Sequence, residues 1–340
     1  MGCLSLNGSH GSSISRGGGA RRPASRFRFG ARELLVVLPI LGLLIPVSAR
    51  ASCADALAHP GFTAGPLVTR GTDPVSANFA LAPGRTYLIE VAELDNDASV
   101  DVLDSGGRLI VRVDHPERRT GTRRAVVTTP ESGDVTVRVT GKEHAQAKGA
   151  ASVRVFDLAS SAAPECATAL KDLAAADSSY AAGQDISRGH VPAAGRSARD
   201  AYLRAAEGYT AAERALTATS DRQLRGETDL ALAALYHFDL FDWARAEEWA
   251  KAAIATLGPI DQYRRARAEA LLAYAWVQVG QAESVRQAGP LLEEARASLQ
   301  RLSRFHTQRG ESYDAAVQLP YVALTYLYQG RYSECVAASV

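Results

Sequence analysis

The spacing of apolar residues changes near the middle of the chain, and that change restricts the fold more than any other feature. From about Pro66 to Leu158 the period is two. "VSANFALA" puts Val75, Ala77, Phe79 and Leu81 on one face, and "TYLIEVAE" does the same with Tyr87, Ile89 and Val91. "SVDVLD", "RLIVRV", "RAVVTT", "DVTVRV" and "SVRVF" follow. Alternation of this length marks half-buried strands, with one face in a core and the other in water. Pro83-Gly84, Ser105-Gly106-Gly107 and Ser132-Gly133-Asp134 supply the turns between them. Seven or eight short strands at this spacing predict an antiparallel β-sandwich, jelly-roll-like, over residues 52–160.

From Pro164 onward alanine takes over and β-branched residues thin out. The sequence predicts helices at about 164–180, 197–218, 222–239, 243–257, 261–279, 290–305, 313–329 and 332–340. A looser stretch, "AAGQDISRGHVPAAGRS", separates the first two. The expected organisation is therefore multidomain: the strand region, a helix and linker at 161–196, and an all-α helical-hairpin array over 197–340.

The N-terminus reads as an export signal. Arg16, Arg21, Arg22, Arg26, Arg28 and Arg32 precede the apolar run "LLVVLPILGLLIPV", and Ala49-Arg50-Ala51 fits the small-x-small rule for signal peptidase. Residues 1–51 are thus a signal peptide, with cleavage expected after Ala51 and a periplasmic or extracellular, bacterial location. The run is short for a span of about 20 residues and contains Pro39 and Pro46, so membrane contact is expected only if this segment stays uncleaved. The chain holds 38 basic and 37 acidic residues, of which residues 1–51 carry seven Arg and Glu33. The remainder has 31 and 36, a net of −5, which argues against nucleic acid as a partner.

With Cys3 in the signal, Cys53, Cys166 and Cys335 remain. Cys53 and Cys166 bracket the strand region, and export makes a disulfide between them the expected arrangement, with two independent thiols as the alternative.

No constellation for catalysis is present. The mature chain has His59, His115, His144, His190, His237 and His306, with no His-x-x-x-His, no Cys-x-x-Cys, no nucleophile elbow and no phosphate loop. Asp95, Asp97, Asp101 and Asp104 have the chemistry of a calcium loop, but aspartate is also a common turn and strand-edge residue. Cys335 with His306 or His237 makes a conceivable thiol dyad, against the simpler reading of a small buried residue. No catalytic residue, metal or cofactor is expected. Glu247-Glu248 and Glu293-Glu294 read as solvated helix faces.

Two stretches resemble known families. "YLIEV", "ASVDVLDSGGRLI" and "SGDVTVRVTG" resemble the small β-sandwich of bacterial exported proteins, the pre-peptidase C-terminal type, which implies a binding or packing module. "LALAALYHFDLFDWARAEEWAKAAIATLGP" resembles a tetratricopeptide repeat, a helical hairpin of about 34 residues. In that resemblance Ala234 is the small residue of the first helix and Trp243 the aromatic after the turn. Ala246, Ala250 and Ala253 line the second helix, and His237 stands where Tyr is usual. "VALTYLYQGRYSECVAASV" is a second copy, with Ala323, Tyr326, Gly330, Tyr332 and Cys335 at the packing positions, and it reads as incomplete. "EALLAYAWVQVGQ" is another first helix, its partner "LLEEARASLQRL" displaced by an insertion around Ala282–Pro290.

Such arrays bind peptides or protein domains, which implies an interaction scaffold whose partner is a protein or peptide. Lys251, Arg264, Arg265 and Arg267 offer a positive cluster for a groove. The order of signal, β-sandwich and repeats also resembles the front part of exported proteins that end in a CHAT, caspase-like, domain. That resemblance implies an alternative, a regulatory portion of a cysteine protease whose catalytic domain lies beyond residue 340.

Overall fold

The computed structural model describes Cys53 and residues 57–70, 72–94, 98–116, 122–141, 148–161, 164–191, 195, 197–279, 282–308 and 312–338. The expected signal segment and its cleavage site, and Asp95, Asp97 and His144, lie outside the described residues.

Eight strands come first among the described residues: β1 (Phe62–Arg70), β2 (Val75–Ala80), β3 (Thr86–Leu94), β4 (Ala98–Asp104), β5 (Leu109–Val113), β6 (Thr122–Thr128), β7 (Asp134–Gly141) and β8 (Lys148–Asp157). They form two four-stranded antiparallel sheets, ordered β1-β8-β3-β6 and β2-β7-β4-β5. One apolar cluster takes residues from both sheets, including Phe79, Val100, Val137 and Val139 from one and Ile89, Val91, Val127 and Val153 from the other. These are the residues the period-two pattern selects. β1 escapes that pattern because Gly65-Pro66 interrupts it, and its register shifts between Ala64 and Leu67. Proline lacks the N–H a central strand needs, and β1 accordingly lies at the end of its sheet. At the Ser132-Gly133-Asp134 turn only glycine fits: φ is +72°, and a Cβ there would come within 2.2 Å of the Leu81 carbonyl oxygen.

The second face of the β1-β8-β3-β6 sheet departs from the expectation. It is covered by helices rather than water. Leu88 and Phe156 are 0% and 1% exposed and belong to an apolar cluster with Leu170, Leu173, Tyr209 and Leu232 of the helical part. The helices are α1 (Leu158–Ser161), α2 (Pro164–Ser187), α3 (Ala198–Thr217), α4 (Arg222–Leu235), a π-helical turn (Tyr236–Leu240), α5 (Trp243–Leu257), α6 (Gln262–Val279), α7 (Ala282–Gln308), α8 (Ser312–Tyr328) and α9 (Tyr332–Ala338). From α2 on, each packs on the next, and α4, α6 and α8 also touch in sequence. Side chains of Ser197, Asp221, Asp242 and Asp261 accept the N–H of the residue three positions on, which fixes where α3, α4, α5 and α6 begin.

Two helices exceed their expected lengths. α2 runs on to Ser187 because Gly183 lets it lie against Tyr202 of α3, where any Cβ would meet the ring at 2.4 Å. The stretch from Ala282 to Pro290, expected as an insertion, is helical, and α7 continues through Pro290 to Gln308. Ala288 and Leu292, on either side of that proline, are buried against α6 and α8. Tertiary packing there outweighs the proline's local cost of about 3 kcal/mol.

Helix α2 also closes the strand region. It packs across β5 and β6, the end strands of the two sheets, so a row of edge groups meets a helix instead of solvent. Cys166 in α2 is bonded to Cys53, with Cα atoms 5.4 Å apart and a sequence separation of 113. The chain-entropy model gives about 4–5 kcal/mol for such a loop. Replacing both cysteines with serine is expected to lower stability by that order, read as a fall in the urea midpoint. An unchanged midpoint contradicts it.

Candidate interaction surface and the buried junction that holds it

The junction between sheet and helices is built from charge. Arg123 and Arg124 are adjacent on β6 and both buried, at 0% and 6% exposure. Adjacent strand residues point to opposite faces, and Arg124 faces the helices. Its Nε donates to Glu90 Oε1 at 3.0 Å, and Arg154 donates to Glu90 Oε2 at 2.7 Å. Its guanidinium also lies 3.7 Å from Glu227 of α4, which in turn lies 3.4 Å from Arg264 of α6. The Arg124 backbone N–H donates to Asp177 Oδ2 of α2 at 3.0 Å, and Tyr209 of α3 donates its hydroxyl to Asp177 Oδ1 at 2.5 Å. Strands β3, β6 and β8 are thereby tied to α2, α3, α4 and α6 through one network.

Burial sets the protonation states here. It pushes the Asp177 carboxyl up to about 7, against the opposing pull of Tyr209 and Arg124. It holds His115 well below its usual value, helped by the charges of Arg123, Arg124, Arg264 and Arg267. Asp229 of α4, 0% exposed, is also raised to about 7 by burial and by Glu213. Asp177 and His115 are both buried, and their cluster positions the two layers.

Most of the residues expected at packing positions are buried. Ala234, Ala246, Ala250 and Ala253 are each at most 2% exposed, and Ala323 and Cys335 are buried. Trp243 is half-buried against the cluster that includes Tyr236 and Leu240. The turn residue seven positions after Ala234 is Phe241, φ 56°, and the one seven positions after Ala323 is Gly330, φ 71°. Two hairpins thus share the small residue, the left-handed turn and the next small residue. The Tyr326 ring carries two guanidinium groups, Arg296 at 4.1 Å from its centre and Arg331 at 4.7 Å. Tyr332 corrects the sequence reading: it is 62% exposed, at the start of α9, whose main contacts are with α8.

The expected positive cluster is also corrected. Lys251 pairs with Glu247 at 2.6 Å and lies over Trp276. Arg265 pairs with Glu269 at 2.6 Å and Glu294 at 2.9 Å. Arg264 pairs with Asp261 at 2.8 Å as well as with Glu227. Arg267 is half-buried among the cations that surround His115. Lys251, Arg264 and Arg265 thus find their acids within the chain, and the geometry is not that of a clamp for a partner's carboxylate. Asp101 and Asp104 likewise hold Arg112, Arg138 and the Gly106 and Arg108 amides, and no group of three metal-capable side chains occurs among the described residues.

A different set of residues comes together along α6, α8 and the π-helical turn that follows α4. His237, in the π-helical turn, lies 6.0 Å from Tyr274 of α6, and Phe238 is 4.7 Å from His237. Tyr274 stacks on Tyr321 at 6.1 Å and meets Tyr328 edge-on at 5.7 Å, both on α8. Tyr274 is buried and donates its hydroxyl to the Tyr321 carbonyl, while His237, Phe238, Tyr321 and Tyr328 are partly exposed. Gln278, exposed, donates to the Tyr328 hydroxyl at 3.2 Å. Sequence reasoning names His237 as a departure from Tyr and as a conceivable partner of Cys335, not as part of an aromatic line. The signal for the rest is the tyrosine density of α8. No family model matches the chain, and no curated protein is similar to it. No described helix is long and apolar enough to cross a membrane.

Two outcomes follow from the junction. Glu90→Ala leaves Arg124 buried without its main partner and is expected to cost about 3–5 kcal/mol in chemical denaturation. Asp177→Asn tests the pH linkage. The folded carboxyl holds its proton up to about 7 and the unfolded one to about 3.8. Its contribution is therefore full below the unfolded value and lost as pH rises through about 7. The wild-type urea midpoint, relative to Asp177→Asn, is expected to fall between about pH 4 and 7. A parallel pH profile for the two proteins contradicts this.

Proposed function

We propose that this chain is an exported, non-catalytic protein-interaction scaffold. In this reading the two sheets are a β-sandwich of jelly-roll type, and α3 to α9 are a tetratricopeptide-like solenoid. The partner is a protein or an extended peptide held along the partly exposed rings of the π-helical turn and α8, which lie on either side of the buried Tyr274 of α6.

That aromatic line is the observation that carries the reading. First helices of successive hairpins contribute to it, so it lengthens with the array, as a surface for an extended ligand must. Tyrosine gives large contact area with few rotatable bonds and a polar end for hydrogen bonding. The disulfide and the arginine-rich, apolar N-terminus favour export, with the signal removed after Ala51. The acidic balance of the remaining chain favours a protein partner over nucleic acid.

The immobilised chain is expected to retain a protein from the exported fraction of its own cell. Tyr321→Ala combined with Tyr328→Ala is expected to weaken that binding roughly tenfold or more, the effect of losing about 1.4 kcal/mol, with circular dichroism unchanged. Retention that ignores both substitutions contradicts the placement, and failure to retain any protein contradicts the function.

A further inference from the structure

The turn between α4 and α5 is built in an unusual way. Residues Tyr236–Leu240 are π-helical, and Phe241 follows with φ 56°, the single non-glycine residue with positive φ among the described residues. A side chain larger than hydrogen is disfavoured in that conformation. The equivalent turn after Ala323 uses Gly330 at φ 71°, where no such conflict arises. Phe241 is also 65% exposed, the most of any large apolar residue described. An aromatic ring is therefore kept in water, in a conformation that glycine would adopt freely. Backbone strain and π-helical turns both concentrate at functional positions.

The charges around the turn say what the ring is for. Arg199, exposed in the first turn of α3, donates to the Leu240 carbonyl at 3.4 Å, next to Phe241. Arg245, exposed in the first turn of α5, donates to the Tyr236 hydroxyl at 2.9 Å and lies over that ring. Two guanidinium groups from different helices thus flank the turn. Of the acids nearby, Glu248 and Asp242 act on Arg245, and Asp242 and Asp239 are held by groups of the chain itself. Asp242 caps α5 by accepting the Arg245 amide, and its other oxygen is 3.6 Å from the Arg245 guanidinium. Asp239 accepts from Gln184 and Tyr180 of α2. Asp200 stands in the first turn of α3, where the helix N-terminus favours a negative charge. Arg199 has a carbonyl for its partner in the turn, which leaves most of its donors to solvent.

We infer that Phe241 is the apolar anchor of a second contact point, at the hairpin edge, for an extended peptide segment that carries an acidic residue beside an apolar one. The partner's apolar side chain rests on the Phe241 ring, and its carboxylate pairs with Arg199, while Arg245, held by Tyr236 and Asp242, borders the site. Guanidinium groups bind carboxylates in a planar, two-pronged fashion, which gives the contact its preference for an acidic residue. The inference rests on the scaffold reading, but it uses residues separate from the α4-α6-α8 aromatic line.

The test is selection of peptides from a random display library on the 340-residue chain, followed by fluorescence polarisation of the selected peptides. Phe241→Gly is the informative variant, because it relieves the left-handed backbone while deleting the ring. It is expected to keep or raise Tm and to weaken the selected peptides roughly tenfold or more. Arg199→Glu, which reverses a charge on an exposed side chain, is expected to weaken them similarly, and Arg245→Gln by less. The peptides are expected to share an acidic residue next to an apolar one. Peptides that bind all these variants as they bind the wild type, or that depend only on Tyr321 and Tyr328, overturn the Phe241 site and leave the scaffold standing. A library that yields no binder overturns both.

Discussion

The contact on which the rest of the molecule depends is the buried pairing of Arg124 with Glu90, together with the hydrogen bond from the Arg124 backbone to Asp177. Taking a guanidinium and two carboxylates out of water costs several kcal/mol per ion unless each finds partners. Here they do: Glu90 receives Arg124 and Arg154, and Asp177 receives a strand amide and the Tyr209 hydroxyl. The chemistry is directional where an apolar interface would tolerate sliding. It fixes how α2 crosses the sheet ends, and through Glu227 and Arg264 it extends to α4 and α6.

Each later step leans on that placement. Helix α2, held by Asp177 and by the bond to Cys53, gives α3 a surface through Gly183. Helix α3 in turn seats α4, and small residues then allow each hairpin to approach the next: Ala234 and Ala246, then Ala268 and Ala273. The aromatic line is a product of this stacking. Tyr274 meets Tyr321 and Tyr328 only because α6 and α8 touch. If this line is the proposed interaction surface, it is ordered before a partner arrives, which lowers the ordering cost of binding.

Much of this is legible in the sequence, and the failures have physical causes. Alternation locates seven strands because their inward residues share one core. β1 escapes because Gly65-Pro66 breaks the alternation, which is also why it sits at a sheet end. The buried outer face is signalled by Leu88 inside "YLIEV" and by Phe156, apolar residues at positions a solvated face would fill with polar ones. The adjacent pair Arg123-Arg124 gives no such signal: charge in a strand ordinarily faces water, and only tertiary structure shows that Arg124 faces α2 instead. The same holds for Arg264 and Arg265, which read as free cations and are paired with acids one turn or one helix away. Phe241 is hidden for a related reason. Nothing in its own neighbours announces a left-handed backbone, and only comparison with Gly330 in the matching turn shows that glycine's place has been taken.

If the buried junction makes strands and helices one body, the array is presented as a fixed surface. Native-state hydrogen exchange tests this most directly. The slowest amides of β3 and β6 and those of α2 and α3 are then expected to open with the same free energy, and Glu90→Ala is expected to lower all of them together. Helical amides that open at a distinctly lower free energy while the sheets stay protected, with Glu90→Ala affecting the strands alone, would contradict it.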